Sequence, residues 1–137
     1  MEFSELLNAG GIAGLVGSAI TSLWAMAFAQ LWPASEVPKP TAERHLVLLL
    51  AHFLTGIGLG FVFWVSWGFT AIVGVAWWQR GLIFALATWM LCCLPLVSAQ
   101  ILVLRQRAST TAMIALQWLV TFLLVGLACA WTWGSGR

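Results

Sequence analysis

The placement of charge along the chain restricts its fold more than any other feature. The ten charged residues occur in small groups, and the intervals between the groups are long and apolar. A helix needs roughly 20 consecutive apolar residues to cross a bilayer, and the intervals supply four segments of that length. The charges fall at the segment ends, where lipid headgroups and water would meet them. The sequence therefore predicts an all-α fold, an integral membrane bundle of four transmembrane helices.

Composition agrees with residence in a bilayer and argues against nucleic-acid binding. Hydrophobic residues make up 62% of the chain and charged residues only 7%, whereas soluble domains carry about 25% charged residues. The net charge is +2, and the arginines occur singly or as one pair at loop positions, so no basic stripe indicates nucleic-acid binding. The expected partner is the lipid bilayer.

The predicted spans cover residues 9–31, 45–67, 81–104 and 112–131. The uncharged interval from His45 to Gln79 holds 35 residues, which is too long for one span and too short for two. We therefore predict an interfacial or short re-entrant segment over residues 68–79, with a long tilted helix to about Ala76 as the alternative. More lysines and arginines border the first and third loops than the opposite side, which favours both termini outside.

Glycines on the first and second spans predict faces for helix packing. They are Gly10, Gly14 and Gly17, followed by Thr21, on the first span, and Gly56 and Gly60 on the second. Each set recurs at steps of three or four residues and so lies on one side of its helix. Small residues at this spacing let two membrane helices approach backbone to backbone. The faces fit packing within the bundle, and they also fit self-association or contact with another subunit.

His52 is the ionisable residue that lies deepest in any predicted span. Such residues usually face the interior of a bundle and find a polar partner. Candidates for a polar interior or ligand site are His52, Thr55, Gln117 and Thr121. One interpretation is a neutral histidine hydrogen-bonded to a hydroxyl or amide on another helix, for which Gln117 and Thr121 are candidates. The others are a polar path through a small transporter or channel, and ligation of haem or a pigment by His52.

Several catalytic signatures are absent from the sequence. No acidic residue lies inside a predicted span, and the chain lacks zinc-binding histidine spacings, Gly-x-Ser-x-Gly, a phosphate-binding glycine loop and Cys-x-x-Cys. The three cysteines all lie in apolar segments and are expected to be free, buried thiols. We therefore predict a protein that is not an enzyme and that holds no metal.

Three segments resemble a known group of membrane proteins. They are Gly-Gly-Ile-Ala-Gly-Leu-Val-Gly at residues 10–17, His-x-x-x-Gly-x-x-x-Gly at residues 52–60, and residues 81–95 from glycine to proline. Together they look like small bacterial inner-membrane proteins of the loosely defined group that includes the YagU proteins. The resemblance implies four spans and a bacterial inner membrane, and it carries no catalytic residues across. The leading hypothesis for function is an accessory, helix-packing subunit of a larger membrane complex.

Overall fold

Residues 2–28, 41–66 and 75–135 are described by a computed structural model. In these ranges the chain forms four helices and no strand: α1 (Phe3–Phe28), α2 (Ala42–Val65), α3 (Trp77–Leu102) and α4 (Ala108–Ser135). Each helix is long and apolar enough to cross a membrane. The prediction of an all-α membrane bundle with four transmembrane helices is confirmed.

Local hydrogen bonds explain where α2 and α3 begin. The Thr41 hydroxyl accepts a hydrogen bond from the backbone nitrogen of Arg44 at 3.3 Å, so α2 starts at Ala42, earlier than the predicted His45. The backbone nitrogen of Ala76 donates to Oε1 of Gln79 at 3.0 Å, and α3 starts at Trp77. The start of α3 therefore lies before the predicted residue 81, and its first turn includes residues 77–79 of the predicted interfacial segment.

The alternative of a long second helix is wrong, because α2 ends at Val65 and does not reach Ala76. Residues 67–74, which make up most of the predicted interfacial or re-entrant segment, lie outside the described residues.

The turn between α3 and α4 is shorter than the sequence suggested. Arg105 adopts a positive φ of 50°, which reverses the chain within a few residues. The backbone nitrogen of Thr111 then donates to the carbonyl of Arg107 at 3.1 Å, as it would in an α-helix. For this reason α4 begins at Ala108 and not near Ala112.

Aromatic contacts show that the four helices alternate in direction. The rings of Phe3 and Trp64 lie 5.0 Å apart, which brings the start of α1 beside the end of α2. The rings of Trp77 and Trp131 also lie 5.0 Å apart, which brings the start of α3 beside the end of α4. We call this the terminal end of the bundle, and the opposite end, near Ala42 and Leu102, the loop end. Such tryptophan-rich ends are typical of membrane interfaces.

Packing is concentrated at the terminal end. The helices α1, α2 and α3 all contact α4. Apolar side chains with 2% exposure or less form the core there, namely Leu6, Phe63, Phe84, Ala85, Val125 and Cys129. At the loop end, in contrast, every residue from 42 to 50 of α2 is exposed. The bundle is thus tightly closed at one end and open at the other.

Candidate functional site

The closest approach between helices joins α1 and α2 through glycine. A Cβ atom added at Gly10 would collide with the carbonyl oxygen of Gly56, and one added at Gly56 would collide with that of Gly10. A Cβ at Gly60 would lie 2.8 Å from the carbonyl oxygen of Leu6. The obstructing atoms are all backbone atoms, so the two helices are in direct main-chain contact. This contact places four glycines and the backbone of His52 at one interface, because Gly14 lies against the His52 carbonyl.

Gly17 lies on the same side of α1 as Gly10 and Gly14 but contacts a different helix. A Cβ at Gly17 would lie 2.6 Å from the hydroxyl oxygen of Thr121 on α4. The Thr121 side chain is fully buried, and its hydroxyl has no hydrogen-bond partner within the described ranges. The predicted packing residues on α1 therefore contact two helices inside the bundle.

A second glycine contact, which the sequence reasoning missed, joins α3 and α4. A Cβ at Gly126 would lie 2.6 Å from the carbonyl oxygen of Gly81 and 2.9 Å from the Cβ of Ala85. The indole nitrogen of Trp89 also donates to the carbonyl of Ala115 at 2.9 Å. The spacing of Gly81 and Ala85, four residues apart, is the signal that would have indicated this face.

His52 is buried at the junction of three helices, with 2% of its side chain exposed. Its Nδ1 lies 2.8 Å from the carbonyl oxygen of Leu48, and its Nε2 lies 3.4 Å from the hydroxyl oxygen of Thr21. Its ring stacks on that of Trp118, with centroids 4.4 Å apart and planes 8° apart. Because a carbonyl can only accept, Nδ1 carries the proton, and Nε2 can accept from Thr21 in the neutral ring.

His52 contacts a hydroxyl on another helix, and that hydroxyl belongs to Thr21 on α1, not to the candidate Thr121 on α4. The glycines of α1 bring that helix close to α2 and so place Thr21 beside the ring. Neither Gln117 nor Thr55 forms a hydrogen bond to His52 within the described ranges. The four candidate polar residues therefore do not form one hydrogen-bonded cluster. The group that the structure brings together is His52, Thr21 and Trp118.

The geometry of His52 is a poor fit to haem or pigment ligation. An iron atom bound at Nε2 would have to displace Thr21, and Nδ1 already faces the Leu48 carbonyl. One face of the ring is covered by Trp118. Over the described part of the chain, no three His, Cys, Asp or Glu side chains come close enough to hold a metal ion. The arrangement of His52 is that of a buried polar contact between helices.

Among the glycines that the structure describes, Gly58 alone has no neighbour in the bundle. A Cβ added at Gly58 would meet nothing within 4 Å, whereas one added at any of the glycines described above would meet atoms of another helix. Gly58 lies on α2 in a row of exposed residues at steps of four, which we call the outer row: Leu50, Leu54, Gly58 and Val62. Between large side chains, a glycine leaves a notch on the outer surface of α2.

Comparisons with protein-family models, with characterised proteins and with solved structures find no match to this chain. The resemblance to the YagU group therefore stays a prediction.

Proposed function

We propose that this protein is a non-enzymatic subunit of a larger membrane complex, in which a transmembrane helix of another subunit packs along the outer row of α2. The observation that carries the proposal is the open notch at Gly58. The resemblance to small inner-membrane proteins supports a place in the bacterial inner membrane.

Energetics supports a partner at this notch. A glycine inside a helix costs about 1 kcal/mol relative to alanine. At Gly10 and Gly56 the close contact of two backbones offsets that cost, but no contact does so at Gly58 within the described bundle. Helices in lipid associate by close packing at small residues, since lipid tails are as apolar as leucine. A partner helix in the notch would provide the contact that the bundle lacks.

The exposed end of α2 extends the same surface. Residues 42–50 are exposed on every side, with 57% of Leu46 and 58% of Val47 accessible. A partner helix that lies in the notch at Gly58 would continue past Leu50 along this part of α2. The geometry favours this role over a transport path at His52, because the His52 ring is packed against Trp118 and hydrogen-bonded at both nitrogens.

Photo-crosslinking in the native membrane tests the proposed contact. A photoreactive amino acid at Leu54, which is 64% exposed beside the notch, is expected to give one protein adduct of defined mass. The same group at Leu91 on α3, which is 77% exposed, is expected to give lipid adducts only. Gly58→Leu should remove the protein adduct from Leu54 by filling the notch. Equal protein adducts at both positions, or an adduct that survives Gly58→Leu, would count against the proposal.

A further inference from the structure

A cavity of about 220 Å³ opens at the terminal end of the bundle, between α2, α3 and α4. Apolar and aromatic groups form most of its lining, together with one cation: Phe63, Trp77, Arg80, Ala130, Trp133 and Gly134. Phe63 is 1% exposed and Ala130 3%, so the cavity reaches down to the core of the bundle. Its volume is below the roughly 300 Å³ at which pockets for drug-sized molecules begin. It can therefore hold a headgroup-sized fragment and not a large cofactor.

Arg80 is the polar group of this cavity. It lies in the first turn of α3 and is partly buried, and its Nε atom is buried. Within the described ranges, Nε has no hydrogen-bond acceptor and no carboxylate pairs with the guanidinium. A buried N–H without an acceptor is costly, and an anion in the cavity would supply both the missing acceptor and a counter-charge.

The level of the cavity within the membrane indicates the source of the anion. Trp77 and Trp133 line the cavity, and Trp77 packs against Trp131 in the tryptophan-rich terminal end. Tryptophans in membrane proteins concentrate at the level of the lipid headgroups. At that level the abundant anion is a phosphate that carries acyl chains, and basic pockets between transmembrane helices bind such headgroups.

From these observations we propose that the cavity binds the phosphate group of an anionic phospholipid. The Arg80 guanidinium donates to the phosphate oxygens, because its planar fork matches phosphate geometry. The indole rings of Trp77 and Trp133 contact the glycerol and the first methylene groups of the lipid. The site is independent of the proposed contact at Gly58, which lies on the outer surface of α2.

Lipid titration followed by native mass spectrometry tests the site. Purified protein in maltoside micelles is titrated with phosphatidylglycerol, and one molecule is expected to bind saturably. Arg80→Gln should weaken that binding about tenfold, because it removes charge-assisted hydrogen bonds. Arg80→Lys keeps the charge but loses the planar guanidinium group. It should bind phosphatidylglycerol with an affinity between those of the wild type and Arg80→Gln. Arg105→Gln, at the exposed turn of the loop end, is the matched control and should bind as the wild type does.

Two further titrations separate the sources of phosphate. Phosphatidylcholine with the same acyl chains should bind more weakly than phosphatidylglycerol, because its choline cation opposes Arg80. Inorganic phosphate alone should compete poorly, because it lacks the apolar contacts with Trp77 and Trp133. Binding of phosphatidylglycerol that is unchanged in both Arg80→Gln and Arg80→Lys would overturn the proposal. Competition by inorganic phosphate at the affinity of the lipid would overturn the assignment to a phospholipid.

Discussion

Gly56→Leu is expected to lower the free energy of unfolding by about 3 kcal/mol or more, at the upper end for overpacked sites. The new side chain would collide with the carbonyl group of Gly10, and its Cβ would lie 3.2 Å from the Cα of Gly14. These are backbone atoms, which cannot rotate away as a side chain can. Relief therefore requires α1 and α2 to move apart, and the contacts around His52 would be lost with the glycine interface.

Gly58→Leu provides the matched control, because it makes the same substitution two residues along the same helix in open space. Unfolding of both variants by sodium dodecyl sulfate in mixed micelles, followed by circular dichroism, would measure the difference. Gly58→Leu is expected to unfold at or above the wild-type detergent fraction, because leucine removes the cost of a glycine inside a helix and meets no other atoms. Equal destabilisation by the two substitutions would contradict the contact between Gly10 and Gly56.

His52→Leu is expected to lower the free energy of unfolding by about 1–2 kcal/mol. An aromatic stack contributes about 0.5–1.5 kcal/mol, and a hydrogen bond between membrane helices contributes about 0.6 kcal/mol. Both are lost here, since the ring stacks on Trp118 and its Nε2 faces the Thr21 hydroxyl. Leucine fills much of the same volume, so the loss stays below that of a truncation to alanine.

A double-mutant cycle separates the two contributions to this loss. Thr21→Val removes the hydroxyl and keeps the shape, and its coupling with His52→Leu in the same unfolding assay is expected to be about 0.6 kcal/mol. Gln117→Leu serves as the control, because Gln117 forms no hydrogen bond to His52 within the described ranges. Coupling of His52 to Gln117 and not to Thr21 would show that the histidine has a different partner in the membrane.

Much of the fold follows from the sequence for simple physical reasons. Charges cannot lie in the middle of a lipid-facing helix at low cost, and tryptophans concentrate at the membrane interfaces, so their positions separate the four spans. The helix ends are harder to place, because a helix can continue beyond the hydrocarbon core. Trp77 and Ala108 begin α3 and α4 four residues before the apolar spans that we predicted. Local bonds, such as that between Ala76 and Gln79, decide these ends.

The candidate site is less predictable than the fold. Spacing shows which side of a helix carries small residues, but not which neighbouring helix that side will contact. Only the tertiary structure shows that Gly10 and Gly14 contact α2 whereas Gly17 contacts α4. The same limit applies to His52, for which the sequence offers several hydroxyl and amide partners. The contact of Gly81 with Gly126 was missed because each helix contributes a single glycine. The cavity at Arg80 joins residues from three helices, and no local pattern marks it.

The proposed function rests on a partner helix at the outer row of α2, and the mass of the extracted particle tests it most directly. The protein would be extracted from its native membrane in a mild detergent, and the particle mass measured by light scattering with the micelle subtracted. We expect a protein mass well above the 14.9 kDa of one chain, and a return to that mass in Gly58→Leu with the bundle still folded. A wild-type particle that contains one chain and no other protein would contradict the account.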